Sequence, residues 1–513
     1  MVQPANKRLV TEASTLLVGK ASKGALVLNA RDYGAIGDDA ADDTAAIGAA
    51  ITAARSFVDN HWVRTVWVYL PRGAYRTARF SVPGGVALLG DGLAATRLKN
   101  ISTDGLVFIT MQGSNSFVRG LLVDGQMGVQ TTVGLAAVQF SRPNAVNAAP
   151  RNVAGGIVLS APCVAGATTI AVTVSNPGGE AVHPGDIITV IDPTTTPIQY
   201  EMLRVSESYT VGSLTVPLEA PTTFAHAVTA LCSVASTNVG ISDCTVLGNG
   251  RDGIAFWHCI HAYARNNLIR QYQDTGIDCP AGGSRFVDIH NNHFDTQGRW
   301  GVAFDSTPAS ETDLGRLADC KSFNNTIVFQ PGGSYVNGNT IDGVYLGNVD
   351  RCHSIGDKVD LTYGGISGVV YAGQSTGCRV ESLDVIGPPV IRAGTSGVRG
   401  TSAAALSMSV LGGHISNVSN GVDASTAKTA VIRSVDIVNV ASYGINMLAV
   451  TTYVQNMTVV GCYIETNTAG VRTGGAPAAG AKATVTGCAL LGSSFAPTVF
   501  DTGWASVLTG NAP

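Results

Sequence analysis

Charge is scarce in this chain. Asp, Glu, Lys and Arg together supply 13% of its 513 residues, where a quarter or so is usual for globular proteins. The net charge of −4 gives nucleic acid and anionic lipid little to attract them, so neither is an expected partner. Also missing is any uninterrupted apolar run of about 18 residues, so no membrane insertion is expected. The N-terminal stretch MVQPANKRLVTEASTLLVGKASKG lacks the apolar run of about 7–15 residues that marks a signal peptide, so export by the general route is not expected. The 10 cysteines fall singly, without C-x-x-C spacing, and read as buried free thiols rather than metal ligands. Cys163 and Cys232 are the one pair for which a bridge is considered.

Glycine is abundant instead, at 61 residues, and from about residue 235 it keeps time. A glycine followed by an aliphatic residue recurs at Gly253-Ile254, Gly276-Ile277, Gly301-Val302, Gly343-Val344, Gly368-Val369, Gly397-Val398, Gly421-Val422, Gly444-Ile445 and Gly470-Val471. Most intervals are 23 to 29 residues, and the long one spans an insertion near 307–320. Such a period, with strands only a few residues long and neither a leucine consensus nor a helix in each unit, points to a β-solenoid. Superimposing SDCTVLGNGRDGIAF, RNNLIRQYQDTGIDC and HNNHFDTQGRWGVAF predicts stacked positions. They are Asp243–Asn266–Asn291, Cys244–Asn267–Asn292, Val246–Ile269–Phe294 and Phe256–Cys279–Phe304. Asn and Asp suit the corners because they tolerate left-handed backbone angles, and stacked amides can hydrogen-bond along the axis.

The expected fold is all-β: a right-handed, single-stranded parallel β-helix with an N-terminal capping helix and a small inserted β-domain. Residues 1–28 read as a leader or attachment segment, and 29–154 as the capping helix with the first coils. Residues 155–234 alternate strongly, carry the turns NPGG and HPGD, and read as the inserted β-domain. Residues 235–475 form the main coils, and 476–513 the last coils and tail. An open solenoid exposes a hydrophobic end that must be covered. The stretch Thr44–Ser56 has an apolar stripe of Ile47, Ala50, Ile51 and Ala54 that suits this task. Asp43 or Thr44 would cap that helix, Asp42 would sit at the positive end of its dipole, and Asp38 and Asp39 would belong to the preceding turn.

With those elements in view, DYGAIGDDAADDTAAIGAAI, VWVYLPRGAYRT and VPGGVALLGDG resemble the N-terminal signature of the pectate-lyase-like superfamily of right-handed parallel β-helices. The resemblance covers about residues 28–98 and is nearest the branch of phage tailspikes and polysaccharide depolymerases. The leader also resembles the start of tail proteins from phages of actinobacteria. The resemblance implies a virion tail protein that binds a host cell-surface glycan, joins other tail proteins through its leader, and assembles as a homotrimer. Cleavage of the glycan, by hydrolase or lyase chemistry, is left open beside a non-catalytic receptor-binding role. A bacterial carbohydrate-active enzyme is a third reading. The W-I-D-H set of pectate lyases, the polygalacturonase set and the Y-G-F-D-P-H motif of alginate epimerases are absent. Gly412-Gly413-His414 is a near miss, and no catalytic residue carries over.

The residues themselves direct attention to 250–306, where charge concentrates. Arg251, Asp274 and Arg299 fall in one ladder, an arrangement able to grip a sugar carboxylate or to form a plain surface ion-pair stack. Asp278, flanked by Ala255 and Ala303, is expected to be accessible to a ligand, and Asp305 and Asp252 lie nearby. Paired carboxyls serve glycoside hydrolysis. A lyase needs a base and a group that neutralises a uronate, for which His293 or Arg299 are candidates. Trp300 could stack on a sugar ring or on the core. His258 and His261, three residues apart, are candidate ligand contacts. No third ligand accompanies them, so no metal and no other cofactor is expected.

Overall fold

The computed structural model describes residues 26–61, 65–126, 134–141, 157–174, 182–192, 195, 199–228, 230–280, 283–296, 298–306, 317–330, 341–372, 375–391, 394–401, 407–449, 456–475, 482–492, 498–499 and 505–509. The chain winds into a right-handed parallel β-helix of about 13 turns. Each coil contributes short strands to three faces, and every strand pairs in parallel with its counterpart one coil away. One face stacks Thr275–Cys279, Trp300–Asp305, Asp342–Gly347, Ser367–Ala372 and Ser396–Gly400. It continues through Asn420–Asp423, Tyr443–Ala449 and Ala469–Gly475. The long strand Thr245–Phe256 turns a corner and pairs with both Leu268–Tyr272 and Thr275–Cys279.

The glycine beat has a steric cause. A Cβ on Gly253 would lie 2.6 Å from the carbonyl oxygen of Gly276, and the same holds from Gly276 to Gly301, Gly368 to Gly397 and Gly397 to Gly421. The backbones approach too closely for a side chain, so the position repeats once per coil. The next residue is core: Ile254, Ile277, Val302, Val344, Val369, Val398, Val422, Ile445 and Val471 are all fully buried. Each such side chain stabilises the coil by about 1.5–3 kcal/mol.

Corners are set by a second column. Asp243, Asn266, Asn291 and Asn324 all have φ between 53° and 56°, a region that Asn and Asp enter more readily than other side chains. Beside them runs an amide ladder through the core. Cys244 N–H donates to Asn267 Oδ1, Asn267 N–H to Asn292 Oδ1, Asn292 N–H to Asn325 Oδ1, and Asn325 N–H to Asp357 Oδ1, at 2.9–3.0 Å. Each bond contributes about 1 kcal/mol net, and leaving a member unpaired would cost more. Register pairs Val246 with Ile269 and Ile269 with Phe294, as the sequence superposition predicts.

The helix Thr44–His61 packs on the strand Val66–Leu70, with Ile47, Ala50, Ile51 and Ala54 buried. Its start differs from expectation. Asp43 does not cap the helix with its carboxylate, which instead accepts from the N–H groups of Ile36 (2.6 Å) and Gly37 (3.2 Å). Asp42 accepts from Thr44 N–H at 2.9 Å. Asp38 and Asp39 lie in the irregular strand Asp38–Asp42, where Asp38 Oδ1 accepts from the N–H groups of Ala40 and Ala41 at 2.9 and 2.8 Å and Asp39 has a φ of 60°, a bend as expected.

Between Ile157 and Val234 lies a separate antiparallel sheet of six strands with its own apolar cluster, including Leu159, Ile170, Ile188, Val190 and Val216. The turn HPGD is closed by Asp186, whose carboxylate accepts from His183 N–H at 2.7 Å. NPGG lies outside the described residues, as does the leader up to residue 25. Cys163 and Cys232 are both free thiols, so the considered bridge is absent. Near the C-terminus, Ala505–Thr509 still pairs with Lys482–Thr486 as a solenoid strand.

Candidate functional site

Three consecutive coils bring the predicted acids and bases together on the glycine face. Arg251 and Asp252 precede Gly253, Asp274 precedes Gly276 by two residues, and Arg299 precedes Gly301 by two. The backbone fixes their stacking: Asp274 N–H donates to Arg251 O at 2.8 Å, and Arg299 N–H to Asp274 O at 2.7 Å. Ala255, Asp278, Ala303 and Tyr345 form the parallel column beside them.

Arg251 is the hub. Its guanidinium lies 3.4 Å from Asp252, 3.5 Å from Asp274 and 3.8 Å from Asp278. One cation cannot balance so many carboxylates away from water, so protons must make up the difference. Burial first, and then repulsion from Asp274, push the Asp252 carboxyl up to about 7 against the pull of Arg251. Asp278 is raised well above the usual carboxylate range, by burial and then by repulsion from Asp252. Asp305 is pushed up to about 6 by burial, with Arg299 opposing and Asp274 adding.

The expectation that Asp278 is accessible is corrected. It is 4% exposed, as is Asp252, because Arg251 and the neighbouring coils close over them. Asp305 remains partly exposed. Trp300 is likewise not a free sugar platform: its indole is buried, with the Arg299 guanidinium 3.6 Å above its ring and Tyr345 stacked at 4.3 Å. Several polar atoms in this cluster are buried without a hydrogen-bond partner among the described residues, namely Asp252 Oδ1, Asp274 Oδ1, Arg299 Nε and Trp300 Nε1. Unmet polar atoms of this kind are costly unless a ligand or solvent satisfies them.

The three histidines do not join the cluster. His293 sits on the strand His293–Thr296, which pairs with Leu268–Tyr272 and Thr326–Phe329 on another face, 3.8 Å from Asp295. His258 is buried at the seam with the six-stranded sheet. Its ring meets the hydroxyls of Ser233 (2.8 Å) and Thr189 (3.0 Å), so it fastens two elements together. His261 is exposed and stacks on Phe286 at 4.9 Å. Sequence reasoning missed Tyr345, which occupies the position of Asp278 two coils on. Its phenol is raised to about 12, first by burial and then by Asp305. The signal was available, since Tyr345 follows Gly343-Val344 as Asp278 follows Gly276-Ile277.

A family described as rhamnogalacturonase A/epimerase, pectate lyase-like, matches residues 27–131. Mannuronan C5-epimerase AlgE1 of Azotobacter vinelandii is 43% identical over 83 residues, which are 15% of this chain and 6% of that protein. The A-module of mannuronan C-5 epimerase AlgE6 from the same organism superimposes with a TM-score of 0.52 at 16% identity. That match covers 94% of this chain and 99% of that one, and at such identity the likeness is one of fold. The enzymatically active domain of bacteriophage CBA120 tailspike protein 2 gives a TM-score of 0.48 at 12% identity, covering 82% of this chain and 48% of that one.

Proposed function

We propose that this chain, a pectate-lyase-like parallel β-helix, is a phage tail spike or fibre protein that binds a host cell-surface polysaccharide along its glycine face and cleaves it there. The observation that carries the reading is the gathering of Asp252, Asp274, Asp278 and Asp305 around Arg251 and Arg299. Solvent-facing ion pairs need no such burial, and raised carboxyls in one cluster are what acid–base chemistry uses. Asp305 is the proton donor. It is partly exposed, and with a value of about 6 half of its population carries the proton at that pH. In glycoside hydrolysis it protonates the leaving glycosidic oxygen, while water adds to the anomeric carbon and yields its proton to a carboxylate across the site. Asp274, held by Arg251, takes that second role.

The burial of Asp252 and Asp278 beneath Arg251 favours a second reading, a receptor-binding tail protein that holds the glycan without cleaving it. In either reading the subunits assemble as a trimer and attach to other tail proteins through the leader. Incubation of purified protein with host envelope polysaccharide separates the cases. New reducing ends mean hydrolysis, ultraviolet absorbance of an unsaturated uronate means lyase action, and binding without either means the second reading. Absence of binding overturns both.

A further inference from the structure

Gly347 is a glycine for a reason its backbone does not supply. Its φ lies outside the left-handed region, so the conformation suits any residue. What excludes a side chain is the space above it. A Cβ there would stand 2.4 Å from Cε1 of Tyr345 and 2.8 Å from Oδ1 of Asp305. The ladder pairs Gly347 with Asp305, and Tyr345 with Ala303 in the adjoining column. A ring edge and a carboxylate oxygen therefore converge within 3 Å of one point. Both side chains are partly exposed, so solvent reaches the pair.

The ring is held while its hydroxyl is idle. Tyr345 stacks on Trp300 at 4.3 Å, and the Arg299 guanidinium lies 3.6 Å from the Trp300 ring. Two torsions set a tyrosine ring, so the stack fixes it at little entropic cost. Other tyrosines give their hydroxyls to the protein: Tyr75 donates to Pro71 O at 2.8 Å, Tyr371 to Ser409 O at 2.9 Å and Tyr69 to Asp91 at 2.8 Å. The Tyr345 hydroxyl makes no hydrogen bond among the described residues. Packing on Trp300 would need only a phenylalanine. With the phenol raised to about 12, it stays a neutral donor wherever Asp305 titrates.

We propose that the Tyr345 hydroxyl is a substrate contact of the carboxylate cluster, donating a hydrogen bond to a hydroxyl of the leaving sugar and so holding the glycosidic oxygen against Asp305. The inference rests on the cleavage reading above and adds a residue to it. In the step, Asp305 passes its proton to the glycosidic oxygen as the bond from that oxygen to the anomeric carbon breaks. Water adds to the carbon and yields a proton to Asp274, while Tyr345 keeps its own. Gly347 supports the pair by leaving room for both side chains.

The test compares the full chain as wild type, Tyr345→Phe and Gly347→Ala on host envelope polysaccharide, each first shown to be folded by circular dichroism. Reducing ends give kcat and KM, and tryptophan fluorescence gives Kd. Tyr345→Phe keeps the ring on Trp300 and loses only the hydroxyl. Its KM and Kd should rise about fivefold, the usual effect of one neutral hydrogen bond, with kcat within about twofold. Its decline in turnover above about pH 6 should not move. A purely structural tyrosine would leave KM and Kd unchanged. Gly347→Ala meets only movable side-chain ends, so the fold should survive, while kcat falls about tenfold or more as Asp305 is pushed aside. Wild-type KM and Kd in Tyr345→Phe, or wild-type turnover in Gly347→Ala, would refute the contact and leave the polysaccharide reading standing. If wild type binds without cleaving, the cleavage step fails, and an unchanged Kd in Tyr345→Phe still refutes the contact. If wild type does not bind, the polysaccharide reading and the contact fall together.

Discussion

Gly276 stacks on Gly301 so closely that a methyl group on the first would sit 2.6 Å from the carbonyl oxygen of the second and equally near the Phe294 ring. Neither neighbour can withdraw, since one is ladder backbone and the other fills the core. Gly276→Ala should therefore destabilise the chain by about 3 kcal/mol, as overpacking does in a rigid interior. Gly48, in the capping helix, is the counter-case, with nothing within 4 Å of an added Cβ. Gly48→Ala should stabilise by about 0.5–1 kcal/mol through helix propensity. Thermal melts of the two variants should move in opposite directions.

Asp357 ends the amide ladder where another asparagine would extend it. Its carboxyl is fully buried, and burial raises its pKa against the hydrogen bonds from Ser354 and Asn325. A carboxyl raised on folding stabilises the folded chain fully below the ordinary value of about 3.9, and that contribution is lost as pH rises through the folded value. Asp357→Asn removes the titration and keeps an acceptor for Asn325. The variant should melt higher than wild type at about pH 8, and the gap should close toward about pH 4.

Asp43 serves two backbone donors, the N–H groups of Ile36 and Gly37, and is itself 2% exposed. Asp43→Ala should cost about 1–3 kcal/mol by leaving them unpaired, and Asp43→Asn should recover part of it. Asp42 is exposed and bonds only the first turn of the helix, so Asp42→Ala should cost no more than about 1 kcal/mol. Chemical denaturation of the three variants checks the order.

Much of the fold was legible because one coil is one sequence period. Gly253 to Gly276 and Gly276 to Gly301 are each a single turn, so counting residues gave the columns that hold Arg251, Asp274 and Arg299. The amide ladder was seen as far as Asn292 but not its extension to Asn325 and Asp357. The insertion near 307–320 lengthens that coil and hides the register. Exposure was not legible. Asp278 follows a glycine-aliphatic step and reads as outward, yet Arg251 and the adjoining coils cover it. His258, His261 and His293 were grouped with the acids through nearness in sequence, but a coil turns through three faces within its period.

Asp305 ties the site to a pH profile. Its proton is lost as pH rises through about 6, so a turnover that depends on it should decline above that value and hold below it until a base is protonated. Asp305→Asn should lower turnover by about a hundredfold, within the range for losing a general acid.

The most direct measurement is the release of reducing ends from host envelope polysaccharide by wild type, Asp274→Asn and Asp305→Asn, each first shown to be folded by circular dichroism. The account predicts release by wild type and its loss in both variants, with binding retained. Unchanged release in the folded variants would contradict it, because the chemistry would then lie somewhere other than the carboxylates around Arg251.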